Sequence, residues 1–169
     1  MAASYAIFGV HDWAARLPGA LGAIGLMWVT AALGRWGFGR RAGFYAGLAV
    51  GANIGLFLFT RIVIPDVLLT LAVTCALYCF VRAVEHDRPQ PGYWPWGFWA
   101  CIGLGMLLKG LLAALVPVAT AAIYLLLRRE LFLRQTWRRL RPFTGVALAL
   151  TIYAPWVVLA TLQIGRAHV

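Results

Sequence analysis

Residues 67–84 read VLLTLAVTCALYCFVRAV, eighteen positions with one charge, Arg82, near the far end. A helix needs roughly 20 mainly apolar residues to cross the hydrocarbon of a bilayer. This run meets that length almost without a polar interruption, and it opens from a short break, Arg61-Ile62-Val63-Ile64-Pro65-Asp66. It therefore reads as a membrane span rather than as the core helix of a soluble domain.

Five comparable runs lie on either side. Upstream are Leu17–Leu33 and Ala42–Thr60, separated by the basic turn Gly34–Arg41. Downstream, the polar stretch Glu85–Pro91 and an aromatic cluster at Tyr93-Trp94-Pro95-Trp96 precede Trp96–Leu108. Lys109-Gly110 separates that run from Leu111–Leu127, and the basic segment Arg128–Arg141 leads to Phe143–Gln163. The expected fold class is all-α: a polytopic transmembrane helical bundle of about six spans.

Composition supports the same conclusion. Of 169 residues 63% are hydrophobic and 12% charged, with a mean hydropathy of +0.82. A soluble domain carries about a quarter charged residues. The charges are lopsided, 15 Lys+Arg against 5 Asp+Glu. In a soluble protein such an excess points to nucleic acid, but here the arginines are clustered between apolar runs. No continuous basic face or recognition motif accompanies them, so nucleic acid is excluded as a partner.

The clusters instead orient the chain. The connections after spans one, three and five hold Arg35, Arg40, Arg41, Arg82, Arg88, Arg128, Arg129, Arg134, Arg138, Arg139 and Arg141, eleven in all. The opposite side holds four cations, Arg16, Arg61, Lys109 and Arg166. The positive-inside rule places the eleven in the cytoplasm. The expected location is the inner (cytoplasmic) membrane, with His11-Asp12, Arg61–Asp66 and Lys109 on the outer face.

Other features have two readings each. Gly43, Gly47, Gly51 and Gly55 recur every fourth residue, as either a substrate-lining groove or a seam where a neighbouring helix packs closely. Pro117 and Pro155 are expected to kink their spans, which membrane helices tolerate. Tyr93, Trp94, Trp96 and Trp99 read as an interfacial aromatic belt, and Arg128–Arg141 as an amphipathic segment on an anionic leaflet. Cys75, Cys79 and Cys101 lie within apolar runs and imply neither a disulfide framework nor a metal site.

Charge near membrane depth is costly and is therefore a functional candidate. Asp66 follows Pro65 and heads a stripe at helical spacing, Asp66, Thr70, Thr74, Tyr78. It reads either as a general base or cation ligand, or as the capping acid of a helix start. Arg61 offers a planar fork for a phosphate, or else an interfacial anchor or partner for Asp66. Lys109, the sole lysine, offers a point charge to a lipid phosphate, or snorkels from a loop. One acid and two cations on one face suit an anionic lipid headgroup but name no reaction.

At this point five segments, taken in order, resemble one family. They are Phe8-Gly9-Val10-His11-Asp12-Trp13-Ala14-Ala15-Arg16-Leu17-Pro18, the turn Gly34–Gly43 with its Gly-Arg-x-x-Phe-Gly-Arg-Arg-Ala-Gly pattern, and Arg61 to Asp66. Leu108-Lys109-Gly110 with Pro117, and Ala154-Pro155-Trp156, complete the set. Together they look like bacterial polyprenyl-phosphate-sugar glycosyltransferases of the GT-C fold, the aminoarabinose transferase and protein O-mannosyltransferase-like enzymes.

The resemblance implies inverting transfer of a sugar from a polyprenyl-phosphate-linked donor to a lipid, protein or glycan acceptor on the outer face of the membrane. It would make Asp66 a supporting catalytic acid in the acceptor or metal region, and Arg61 and Lys109 carrier-phosphate ligands. A divalent metal in the intact enzyme is left open, and no residue is assigned to one. The family's acidic pair and Glu-Lys-Pro motif would precede residue 8 and are absent. Residues 1–163 are therefore expected to be a core fragment cut at both ends. Ile164–Val169 looks like one reading frame of a sequencing-adapter oligonucleotide, so Arg166 and His168 carry no role. The rival reading is a multi-span transporter or lipid flippase, although no paired repeat supports it.

The predicted orientation has a direct check. In a background with all three cysteines replaced by alanine, Gly37→Cys and Ile64→Cys should lie on opposite sides. A membrane-impermeant maleimide applied to intact cells is expected to label position 64 and not position 37; the reverse pattern would invert the topology.

Overall fold

The computed structural model describes Gly9 and residues 11–62, 64–85, 92–130 and 133–167, with side chains placed as far as residue 162. Phe8 and Val10 of the first family-like segment lie outside the described residues. So do most of the polar stretch after Glu85, including Arg88, then Leu131 and Phe132 of the basic segment, and His168. The described residues form helices joined by short turns, with no strand among them. In chain order these are α1 (Asp12–Phe38), α2 (Arg40–Gly51), α3 (Ile54–Ile62), α4 (Asp66–Val84), α5 (Trp94–Lys109), α6 (Leu112–Leu127), α7 (Arg134–Leu140) and α8 (Pro142–Ala167).

Each apolar run found in the sequence is helical, because a backbone in hydrocarbon must satisfy its own hydrogen bonds. The helix ends differ from expectation in instructive ways. Helix α1 starts at Asp12 and runs through most of the basic turn to Phe38, and only Gly39, at φ 94°, breaks it. Among the described residues three stretches are long and apolar enough to cross a membrane: Asp12–Phe38, Asp66–Val84 and Arg134–Leu162. The second expected span is not one rod. It is α2 and α3 meeting at 48°, a broken span or re-entrant loop. Helices α5 and α6 have 16 residues each, roughly 24 Å at 1.5 Å per residue, so they reach across a ~30 Å core only with their flanking residues. Pro117 and Pro155 lie inside α6 and α8.

The fold divides into two compact units, Met1–Thr74 and Cys75–Val169, with α4 contributing to both. In the first unit α1 and α2 form a hairpin on the glycine stripe. A Cβ on Gly43 would stand 2.5 Å from the Ala31 carbonyl oxygen and 2.6 Å from the Arg35 nitrogen. On Gly47 it would come within 3.0 Å of Ala31 and Met27, and on Gly51 within 2.5 Å of the Met27 side chain. These three glycines are a packing seam, the close helix approach that small residues permit. Gly22 and Gly25 of α1 similarly receive Leu68 and Leu71 of α4.

The second unit packs around Ala76, Phe80, Phe98, Ile102, Leu125 and Ala149. The Phe80 ring meets Phe98 and Tyr124, each at 5.7 Å between centroids. Trp99, read from sequence as a belt residue, instead packs against this core and donates its indole N–H to the Leu140 carbonyl at 3.0 Å. A belt indole bonds to interfacial water or headgroups; this one finds a protein acceptor first. Trp94 stands edge-on to Tyr78 at 5.6 Å, with the Arg82 guanidinium 5.1 Å over its ring. The three thiols are free and half-buried, and that of Cys101 lies within hydrogen-bonding reach of both Cys75 and Cys79.

The hairpin seam should respond sharply to one methyl group. Gly43→Ala is expected to lower stability in detergent by about 1–3 kcal/mol through overpacking. Gly19→Ala, whose Cβ meets nothing within 4 Å, should leave it unchanged or slightly raised. Circular-dichroism melts of the two variants decide it.

Candidate functional site

The break between α2 and α3 is where the first unit opens. Ala52 ends α2 with its N–H on the Leu48 carbonyl, 2.9 Å away, and the Asn53 N–H turns to Val50 at 3.2 Å. The first amides of α3 would otherwise have no partner. Asn53 supplies one: its Oδ1 accepts from the N–H of Gly55 at 2.7 Å and of Leu56 at 3.4 Å. An asparagine is among the residues best suited to that position, since its side-chain oxygen reaches the second and third helical amides.

The bend leaves a cleft of about 470 Å³ lined by Leu26, Val50, Phe59 and Val67 among its apolar residues, with Asn53, Asp66 and Thr70 as its polar ones. Gly55 also lines it, so the glycine stripe divides in function. Its first three members are filled by α1, while the fourth borders open space. A mostly apolar hollow of this size with a few convergent polar groups is what a ligand site requires.

Asp66 is half-buried, opens α4 and stands in its first turn. That position is favourable for a carboxylate because the amide dipoles of the first turn present positive charge. The same residue lines the cleft, so a favourable helix-start position and a place on the cleft wall coincide in one side chain. The polar stripe below it is less free than its spacing suggested. Thr70 donates its hydroxyl to the Asp66 carbonyl at 2.8 Å and Thr74 to the Thr70 carbonyl at 2.7 Å. Both hydroxyls return to their own helix, although the Thr70 oxygen keeps acceptor capacity toward the cleft.

Arg61 is exposed in the last turn of α3, with its guanidinium 4.7 Å over the Phe57 ring. There it complements the negative end of the helix dipole. Lys109, in the second unit, does the same as the exposed last residue of α5, where Gly110 at φ 66° turns the chain. Among the described residues no three His, Cys, Asp or Glu side chains gather in a way that would hold a metal. Asp66 alone offers one carboxylate, which does not make a metal site.

Asn53 was not singled out from the sequence. Its signal was there, as the only strongly polar side chain between Ala42 and Phe59. A polar group within an apolar run long enough to span a membrane is a functional candidate by default.

A family profile described as dolichyl-phosphate-mannose-protein mannosyltransferase matches residues 1–159. Two solved structures share the fold. ArnT from Cupriavidus metallidurans bound to undecaprenyl phosphate superposes with a TM-score of 0.85 at 29% identity, over 95% of this chain and 30% of that one. The same enzyme in its apo state gives 0.83 at 28% identity with the same coverage. The chain thus spans less than a third of the length of these solved relatives. No curated protein matches it in sequence.

The cap at the break generates a local prediction. Asn53→Ala should speed amide hydrogen exchange at residues 55–56 and cost about 0.5–2 kcal/mol, whereas Asn53→Ser should restore most of the protection. Unchanged exchange at those amides in the alanine variant would mean that the side chain does not hold the bend.

Proposed function

The chain belongs to the dolichyl-phosphate-mannose-protein mannosyltransferase family, and from that premise we propose that it works in a membrane glycosyltransferase that moves a sugar from a polyprenyl-phosphate carrier to an acceptor at the outer face of the cytoplasmic membrane. One observation carries the reading: 95% of the chain shares its fold with an enzyme crystallised on undecaprenyl phosphate. The acceptor is a lipid, a protein or a glycan.

The chemistry asks for two things. The acceptor oxygen must lose a proton as it attacks the sugar, and the carrier phosphate must leave with added negative charge. Asp66 is the carboxylate on the wall of a mostly apolar cleft, and in this proposal it is a supporting acidic residue whose carboxylate orients the acceptor or takes up its proton. Arg61 and Lys109 are exposed cations at helix ends, one in each unit, and each is proposed by itself as a ligand for the departing phosphate. The guanidinium can engage two oxygens at once, the ammonium one. Fixed positive charge at the point where negative charge develops is a strong source of rate enhancement.

The multi-pass membrane character of the chain is common to this reading and to a transporter. The glycine stripe that a transporter would use as a substrate groove is filled by α1 at Gly43, Gly47 and Gly51. No finding from the fold or the relatives supports the transporter reading.

Carried in a full-length homologous frame, Asp66→Asn is expected to reduce sugar transfer by about 100-fold or more. Thr74→Val, which removes only a hydroxyl bonded to its own helix, should stay near wild type. Near-normal transfer by the Asp66→Asn enzyme would remove Asp66 from the site.

A further inference from the structure

Helix α7 is fastened to the second unit along one face. Thr136 and Leu140, four residues apart, are 1% and 9% exposed. The Leu140 carbonyl accepts from Trp99, and Arg139 donates to the Glu85 carbonyl at 2.7 Å. This last bond satisfies an acceptor at the end of α4 and gives Arg139 a structural role.

The other arginines of this segment face elsewhere. Arg134, Trp137, Arg138 and Arg141 recur at three- and four-residue steps, which aligns them on the opposite side. With Pro142, Phe143 and Thr144 of α8 they line a groove of about 670 Å³. No carboxylate is among these lining residues. Three like charges along one groove repel one another unless an anion lies between them. Trp137 and Phe143 are 49% and 91% exposed beside them, an arrangement unfavourable in water and suited to acyl chains.

We propose that this groove binds one anionic phospholipid, its phosphate held by Arg134, Arg138 and Arg141 and its first methylenes lying against Trp137 and Phe143. A free phosphate would neutralise the arginines but leave both rings uncovered, whereas a lipid satisfies charge and apolar surface together. The lipid comes from the leaflet that faces the arginine-rich connections, where basic segments beside a span recognise acidic headgroups. Arg141 closes α7 in the left-handed region at φ 44°, ψ 57°, a conformation in which helices commonly end and which glycine adopts most readily.

The test is native mass spectrometry of the 169-residue chain in mild detergent with equimolar dioleoyl-phosphatidylglycerol and dioleoyl-phosphatidylcholine. One phosphatidylglycerol should be retained with roughly 100-fold preference, about fivefold for each arginine. The double variant Arg138→Gln/Arg141→Gly should lose about 25-fold in that preference. Arg40→Gln/Arg41→Gln, an equal charge loss at α2, should keep it. Arg141→Gly alone relieves the left-handed arginine, so it should lose about fivefold with no drop in melting temperature. Equal retention of the two lipids, an equal loss in the α2 variant, or displacement of the lipid by millimolar inorganic phosphate would each overturn the proposal.

Discussion

A backbone amide inside hydrocarbon has no water to bond, so each N–H and C=O must find a partner within the protein. The rest of this structure depends on that constraint. It makes helices of the apolar runs, and it makes any interruption at membrane depth conspicuous. The break between α2 and α3 interrupts the helical ladder, and the Asn53 side chain repairs it with two hydrogen bonds. Because the break is repaired locally, the chain can bend there and leave a cleft beside Asp66 without exposing bare amides.

Close helix approach and charge placement follow from the same economy of polar groups. Glycines at 43, 47 and 51 let α1 and α2 meet at backbone distance, where side chains would hold them apart. Charged residues are kept to helix ends or given partners: Arg82 pairs with Glu85 at 3.3 Å, and Arg128 reaches Glu130 at 3.6 Å while covering Tyr124. Arg139 is committed to a carbonyl. Against that background, polar groups gather against apolar walls at the Asp66 cleft in the first unit and at the arginine groove beside α7 in the second. The first matches the transfer chemistry proposed for the family; the second matches the membrane in which that chemistry would take place.

The helical membrane character was legible because 63% hydrophobic residues leave no other economical solution for the backbone. The glycine seam was legible as one of two readings, since four-residue spacing marks a stripe but does not say what fills it. The break at Asn53 was missed because apolar residues flank it on both sides within Ala42–Thr60, and hydropathy averages across a bend. The inward turn of Trp99 was missed for a related reason. An indole near a span end suits an interface or a core equally until a carbonyl such as that of Leu140 is brought to it. Asp66 was found by its depth and by the proline before it, yet the hydroxyls spaced below it proved to be bonded to their own helix. Spacing reports which residues share a face; it does not report which already have partners.

The central claim is that the cleft beside Asp66 belongs to the sugar-transfer site. Its most direct measurement is alkylation of Thr70→Cys, in an otherwise cysteine-free full-length homologous frame, with and without saturating undecaprenyl phosphate. The account predicts at least about tenfold protection by the lipid at position 70 and none for Leu104→Cys on the exposed side of α5, a tenfold effect corresponding to about 1.4 kcal/mol. An alkylation rate at position 70 that does not change while the lipid is bound would contradict it.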